Sequence, residues 1–448
     1  MKRFVSAFFA GLFSLPALLS AADYHPGFSP LGADALPATL KTLADQVSAA
    51  ANTNESDRIV REWLTAHPAS LPFVGNGTVT FLYYDLAHNR EAINVSLSAD
   101  FNGFSSNDMM FRAGNSGLFY KTVKAENPDN AVYSYWIYTT NSSIHVIDPF
   151  NAALHYGKPN RSVVRLPDSP SGTLFVFPGM KPADVNAKRS VYVWLPPKYF
   201  AETNRRYPVL YMHDGQQIWD SEASAKGGWK VDTTAEKLIN EGKIRPMIIV
   251  GVENSAQRPE EFTGFSAFYG LDVAVNTNLV KRGLDYSDGY RNFVVKEIKP
   301  WVDRTWRTLP DRNDTFLAGS SFGAVVSLYI GFSESSVFSG IGSFSGGNYP
   351  AADIMKEKKA SFSRSPYLID KVIHRTNAMR VYLDCGNQDL DAVFRPRTED
   401  MHAALQKLGY ADGKDMFFQI DPKAGHEEPQ WAKRFPDFLL FMFGREAK

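Results

Sequence analysis

DTFLAGSSFGAVVSLYIGF, residues 314–332, decides the reading of this chain. Asp314 to Ala318 reads as a short buried strand. Gly319-Ser320-Ser321-Phe322-Gly323 follows and matches G-x-S-x-G. The apolar, small-residue run from Ala324 to Phe332 reads as a buried helix. A strand, a sharp turn and a helix form the context in which this pattern presents a nucleophilic serine. Gly319 and Gly323 lack a Cβ, so strand and helix can approach closely while the serine between them takes a strained backbone conformation. Ser321 is therefore the candidate nucleophile. Outside such a context the same five residues would be an ordinary Gly/Ser turn.

A serine hydroxyl is a poor nucleophile until a neighbouring imidazole takes its proton, and the imidazole needs an acid to orient it. On a strand–turn–helix elbow the partners follow in the order acid, then histidine. Only His374, His402 and His426 come after Ser321. His402 lies in the amphipathic run RTEDMHAALQKLGY, where a helical surface position is the plain reading. His374 precedes the next apolar strand and comes too early. His426 follows the strand Met416–Ile420 and the loop Pro422–Gly425, which is where a base belongs. The acid should follow the strand Arg380–Leu383, in DCGNQD. Asp389 sits past a glycine turn and is the first choice. Asp384, nearer the strand end, and Asp391, two residues further on, are the alternatives.

The developing oxyanion needs backbone donors. One is the amide of Phe322, directly after the nucleophile. The second should come from the loop after an earlier strand. Tyr207–Met212 reads as that strand, and His213-Asp214-Gly215-Gln216 as its loop, so the Gln216 amide is the candidate. A metal site at His213-Asp214 lacks further histidines or carboxylates at ligand spacing, and no metal or cofactor is expected.

From about Lys188 to Gly444 the chain resembles the putative esterase family of the α/β-hydrolases. That family includes feruloyl and acetyl-xylan esterases, enterochelin esterases, S-formylglutathione hydrolases and mycolyltransferases. The resemblance rests on RSVYVWLPPKYF, YPVLYMHDGQQIWD, IIVGVEN, FLAGSSFGAVVSLYIGF, DCGNQD and GHEEPQW, in the family's order. It implies Ser321 as nucleophile, Asp389 as acid, His426 as base, and Gln216 and Phe322 as oxyanion-hole amides. The HDGQ form departs from HGxGG and looks most like the siderophore-esterase branch.

Met1-Lys2-Arg3 is basic, Phe4–Leu19 is apolar but short for a membrane span, and Ser20-Ala21-Ala22 supplies small residues before Asp23. Residues 1–22 are expected to be a cleavable signal peptide, which places the mature protein outside the cell or in the periplasm. The single cysteine, Cys385, forbids an intrachain disulfide. With 448 residues, 44% hydrophobic and 13% aromatic, the chain has material for two domains. The 48 basic and 48 acidic residues balance, which argues against nucleic acid or an anionic membrane as main partner. A small-molecule or polysaccharide ester is the expected partner.

Residues 23–70 carry two helical patterns, near 37–51 and 55–66. From Thr78 short alternating runs follow, VTFLYYDL, AINVSLSA, LFYKTVKA and AVYSYWIY, separated by turn signals. Residues 71–165 resemble the early-set, carbohydrate-binding-like immunoglobulin-type domain that precedes some siderophore and feruloyl esterases. Residues 166–187, with Pro167, Pro170 and Pro178, read as a linker, and 188–448 as the esterase domain. The expected fold class is α/β: an α/β-hydrolase with a mostly parallel sheet, preceded by a smaller all-β immunoglobulin-like sandwich.

Asp214, Trp219 and Trp229 are expected to bind substrate, because their loops border the oxyanion hole. Core packing is the commoner use of Trp, and the default for Tyr135 and Trp136. Lys226, Lys230 and Arg258 could receive an anionic substrate. The residues point to a secreted serine esterase. An acyltransferase with the same residues, or a non-catalytic carbohydrate-binding protein, are the other readings.

Overall fold

The computed structural model describes residues 24–67, 72–85, 92–183, 187–267, 286–347 and 368–445. The expected signal peptide lies outside them. The chain divides into two units. One comprises the residues up to His155 with Asn160–Arg165; the other comprises Tyr156–Pro159 and Leu166 onward.

The first unit has two antiparallel groups of strands. β1 (Phe28–Pro30), β2 (Phe73–Gly75), β3 (Thr78–Tyr84), β5 (Phe111–Arg112) and β6 (Leu118–Ala125) form one sheet, in the order β1-β6-β3-β2 with β5 on β6. β4 (Asn94–Ala99), β7 (Val132–Tyr138), β8 (Ser143–Val146), β9 (Leu154–His155) and β10 (Arg161–Val163) form the other group. Period-two alternation assigns the faces. Val79, Phe81 and Tyr83 share a core with Val95, Leu97, Tyr133, Tyr135 and Ile137, whereas Leu82 and Tyr84 point to the opposite side. There they meet α1 (Ala38–Ala49) and α2 (Thr53–Ala66) through Leu40, Leu43, Val47 and Val60. The unit is therefore not all-β. The helical segment read as separate docks on the outer face of a sheet, because that face is apolar and needs a cover.

The second unit is built on a mixed sheet of β11 (Thr173–Met180), β12 (Arg189–Leu195), β13 (Val209–His213), β14 (Ile248–Val252), β15 (Thr315–Ser320), β16 (Gly340–Phe344), β17 (Arg380–Gly386) and β18 (Met416–Asp421). Their order is β18-β17-β16-β15-β13-β14-β12-β11. Pairings from β14 through β18 are parallel, while β12 runs antiparallel to β14 and β11 antiparallel to β12. The sheet is thus mixed: parallel through β13–β18, as expected, with β12 and β11 added antiparallel at one side. β11 occupies the stretch read as a linker. Pro178 and Gly179 had masked it, and they fall at a register break between Phe177 and Met180.

Both faces of this sheet are covered, which is why its strands read as nearly continuous apolar runs. Val191, Val209, Tyr211, Val250, Leu317 and Val381 face one core. That core is completed by α4 (Arg258–Ala267), α5 (Lys299–Thr305), α6 (Phe322–Ser333) and α7 (Asp389–Lys407), through residues such as Phe262, Val302, Leu328 and Met401. Their alternates Tyr192, Leu210, Ile249, Phe316 and Tyr382 face a second core with α3 (Val231–Asn240) and α8 (Glu428–Phe443). Fixing both faces leaves the strand ends as the place where loops can carry chemistry. Among the described residues no helix is long and apolar enough to cross a membrane.

Candidate active site

Ser321 stands between β15 and α6 with φ 54° and ψ −124°, a conformation side chains rarely adopt. The turn is held from both sides. The Ser321 amide donates to the Phe344 carbonyl on β16 (2.9 Å), and the Ser321 carbonyl accepts from Ala324 (3.0 Å). The glycines are required by contact: a Cβ on Gly319 would lie 2.6 Å from the Gly323 backbone. Ser321 is half-buried and opens on a cavity of about 390 Å³, shared with His426, Asp214, Arg258, Asn254 and Trp229. A cavity of about 510 Å³ in the first unit, lined by Asn52, Tyr84 and Arg112, contains none of these groups.

His426 follows β18 and precedes α8. Its Nδ1 lies 2.7 Å from Asp391 Oδ1. Its ring is packed edge-on against Phe394 (4.9 Å) and Trp431 (5.0 Å). With Nδ1–H donating to the carboxylate, the Nε2 lone pair is left free to accept a proton. Asp391 is fully buried, and its Oδ2 accepts from the Gly386 amide (2.8 Å) and the Ser345 hydroxyl (2.8 Å).

The carboxylate that meets His426 is therefore Asp391, and the choice of Asp389 is corrected. Asp389 is exposed and opens α7 with φ 52°. That left-handed turn sends its carboxylate toward Gly425, where an added Cβ would lie 2.8 Å from Asp389 Oδ2. Asp391, two residues further into the helix, turns inward instead. His402 and His374 are elsewhere: His402 Nε2 bonds the Asp412 carboxylate (3.0 Å), and His374 Nδ1 lies 2.9 Å from the Val372 carbonyl.

Asp384, the alternative nearer the strand end, is fully buried in an ion pair. Arg434 reaches it with Nε (2.9 Å) and Nη2 (3.1 Å), and Tyr382 donates to it (2.9 Å). Burial pushes the Asp384 carboxyl above its ordinary value, opposed by Arg434. Ser345 joins this pair to Asp391. Trp431 Nε1 (2.8 Å) and Arg434 Nη2 (3.1 Å) are obligate donors to Ser345 Oγ, so the hydroxyl proton is committed to Asp391. Ser345 itself has φ 49°. Sequence reasoning missed both Ser345 and Arg434, whose partners lie far away in the chain.

The loop after β13 forms another wall. A Cβ on Gly215 would lie 2.4 Å from the Gly251 backbone, so the loop rests directly on β14. Asp214, at φ 57°, is gripped by Arg258 Nε (2.6 Å) and Nη2 (2.7 Å) and by Asn254 Nδ2 (2.6 Å). Burial would raise its pKa, but Arg258 and Asn254 outweigh burial and hold it below the usual carboxylate range. Next to it, burial drives His213 down to about 3, so its imidazole is neutral. His213 Nδ1 lies 2.7 Å from the Tyr290 hydroxyl. Gln216 belongs to the one-turn segment Gly215–Gln217, with its Oε1 accepting from the Asn254 amide (3.3 Å).

Of the expected substrate residues, Asp214 and Trp229 line the cavity. Trp219 does not: it is fully buried in the second core, beside Tyr192. A large apolar ring three residues past the loop folds under it. Each of the three expected cations has a carboxylate partner: Lys226 pairs with Glu427, Lys230 with Asp220 (3.0 Å) and Arg258 with Asp214.

Residues 183–442 match the family model described as "Putative esterase". The chain is 19% identical over 263 residues to the uncharacterized protein YbbA of Bacillus subtilis, covering 57% of this chain and 93% of that one. Two solved structures are among those the chain is similar to. A ferulic acid esterase from Anaeromyces mucronatus is 21% identical, with 60% of this chain and 90% of that chain covered and a TM-score of 0.43. The enterobactin esterase of Shigella flexneri is 15% identical, with 82% and 93% covered and a TM-score of 0.44.

Proposed function

The chain belongs to the putative esterase family and is a carboxylic ester hydrolase, and from that premise we propose that it works as a serine esterase through Ser321, His426 and Asp391. The observation that carries this reading is one arrangement. Ser321 sits at a strained elbow and opens on the same cavity as His426, whose far nitrogen is bonded to the buried Asp391.

In this reading His426 Nε2 takes the Ser321 proton as Oγ attacks the ester carbonyl. The negative charge that develops on the carbonyl oxygen is received by the amides of Phe322 and Gln216. The imidazolium formed is stabilised by Asp391, and it returns the proton to the departing alcohol oxygen. An acyl group remains on Ser321. Water, deprotonated by the same imidazole, releases the acid and restores the serine. Asp214 and Trp229 border the substrate, and Trp219 takes no part.

The substrate class follows from the charges. Because Lys226, Lys230 and Arg258 all face carboxylates, these three cations, among the described residues, offer paired donors and acceptors and not free positive charge. This favours an uncharged ester of a hydroxylated or sugar alcohol, such as a feruloyl or acetyl polysaccharide, over an anionic siderophore ester. The first unit is proposed as the early-set, carbohydrate-binding-like domain, and residues 1–22 as a secretion signal.

The test is a panel comprising an aryl acetate, a feruloylated sugar and an anionic catecholate ester, each with and without an added alcohol. Faster turnover of the feruloylated sugar than of the catecholate, with free acid as product, is expected. Preference for the catecholate would overturn the substrate class. A transacylated alcohol as main product would overturn hydrolysis.

A further inference from the structure

We infer that Arg258 is a positioning residue of the oxyanion hole: it holds, through Asp214, the strained loop that presents the Gln216 amide, and it braces Phe322 on the other side. The inference rests on the serine-esterase reading above.

The loop Asp214–Gln216 is closed by a turn bond from the Gln217 amide to the Asp214 carbonyl (2.8 Å) and by Ser224 Oγ on the Gln216 carbonyl (3.2 Å), but its first residue is strained. Asp214 occupies the left-handed region, at φ 57° and ψ 44°, where a side chain is disfavoured. Such a residue persists only where its surroundings over-determine it. Here the surroundings are identifiable. Both carboxylate oxygens of Asp214 are taken by Arg258, Nε to Oδ1 at 2.6 Å and Nη2 to Oδ2 at 2.7 Å. Asn254 adds a third donor to Oδ1 at 2.6 Å. The amide of Asn254 also donates to the Gln216 side chain. A two-pronged pair of this kind fixes direction as well as distance, which a point charge does not.

The same guanidinium reaches the nucleophile's side. It lies 5.3 Å from the ring centroid of Phe322, the residue whose amide is the other oxyanion donor, and 5.3 Å from that of Phe262. The Asp214 carboxylate abuts the elbow as well: a Cβ on Gly323 would lie 3.1 Å from its Oδ2. One ion pair therefore touches both segments that carry the proposed donors. Such donors act on the charge that appears only in the transition state, so a small displacement lowers kcat and leaves ground-state binding alone. Arg258 lies at the first position of α4, whose Phe262 is buried in the core, so the clamp is anchored in the fold.

The test compares Arg258→Lys, Asp214→Asn and Asn254→Ala in the full chain. The measurements are kcat and KM on an aryl acetate, inhibition by an alkylboronic acid, which becomes tetrahedral and anionic on the serine, and melting temperature. Arg258→Lys keeps the charge but not the fork. It is expected to lower kcat by about 10²-fold with KM within about threefold, the range seen when one oxyanion donor is lost. Boronate affinity should fall in parallel, while affinity for the carboxylic acid product stays. Asp214→Asn keeps the side chain's shape but removes the ion pair and is expected to lower kcat by about tenfold, and Asn254→Ala, which leaves the pair intact, by less; Asp214→Asn decides the matter if Arg258→Lys does not fold. A raised KM at unchanged kcat in either variant would make the pair a substrate contact and overturn the inference. A lowered melting temperature with unchanged kcat would reduce it to a structural pair and overturn it equally. Loss of activity in Ser321→Ala, measured alongside, separates failure of this inference from failure of the esterase reading.

Discussion

His426 Nδ1 is bonded to Asp391 Oδ1 at 2.7 Å, whereas the exposed Asp389, two residues earlier, turns its carboxylate toward Gly425. The two aspartates share a helical turn yet have opposite environments. Asp391→Asn should lower kcat by about 10²- to 10⁴-fold, because the imidazole loses both its counter-charge and its orienting acceptor. Asp389→Asn should stay within about threefold, as a surface change away from the reacting groups does. Steady-state kinetics of the two variants on one aryl ester checks this, and a larger loss at Asp389 would contradict it.

Ser345→Ala isolates a hydroxyl, since alanine must occupy the same left-handed backbone. It removes a donor from Asp391 and an acceptor from both Trp431 and Arg434. Leaving such buried groups unpaired typically costs about 1–3 kcal/mol. We expect a stability loss of that order by urea unfolding, with kcat reduced about tenfold, less than for Asp391→Asn. Unchanged stability and activity would mean that the network carries no weight.

These two residues mark where the sequence stops being legible. The strand runs from β12 to β18, the elbow and the loop position of His426 after β18 could all be read, because each follows from periodicity, small residues or chain order. Asp391 could not be separated from Asp389. The difference is a single left-handed residue that opens α7 nine residues before the amphipathic pattern TEDMHAALQKLGY begins. Pro396 inside α7 hid its true start. Ser345 and Arg434 gave no signal, since their role depends on contacts 39 to 89 residues apart in the chain. Trp219 was misread because proximity to a functional loop in sequence says nothing about which side of the loop a ring packs.

Asp384 and Arg434 form a buried pair whose partners cannot be removed singly. Arg434→Met should destabilise by about 3–5 kcal/mol, the usual cost of stranding a buried charge. Asp384→Leu combined with Arg434→Met should recover part of that loss. Chemical denaturation of the single and double variants tests the coupling, and strict additivity would contradict it.

The neutral His213 makes stability depend on pH. Burial holds its imidazole at about 3 in the folded chain, against about 6.5 for a free histidine. Between those values the unfolded chain binds a proton that the folded chain does not, so this group's contribution to stability is lost as pH falls below about 6.5. Asp232 acts oppositely. Burial lifts its carboxyl to about 6, so its contribution is lost as pH rises from about 3.9 to 6. His213→Asn should therefore flatten the fall in melting temperature between pH 6.5 and 4. A slope equal to that of the wild type would contradict it.

The central claim, that Ser321 is the nucleophile of a serine esterase, is tested most directly by hydrolysis of an aryl acetate with purified Ser321→Ala. The account predicts a folded protein whose kcat is lower by about 10⁴- to 10⁶-fold. Turnover within about tenfold of the wild type would contradict it, because an enzyme of this kind has no substitute for its nucleophile.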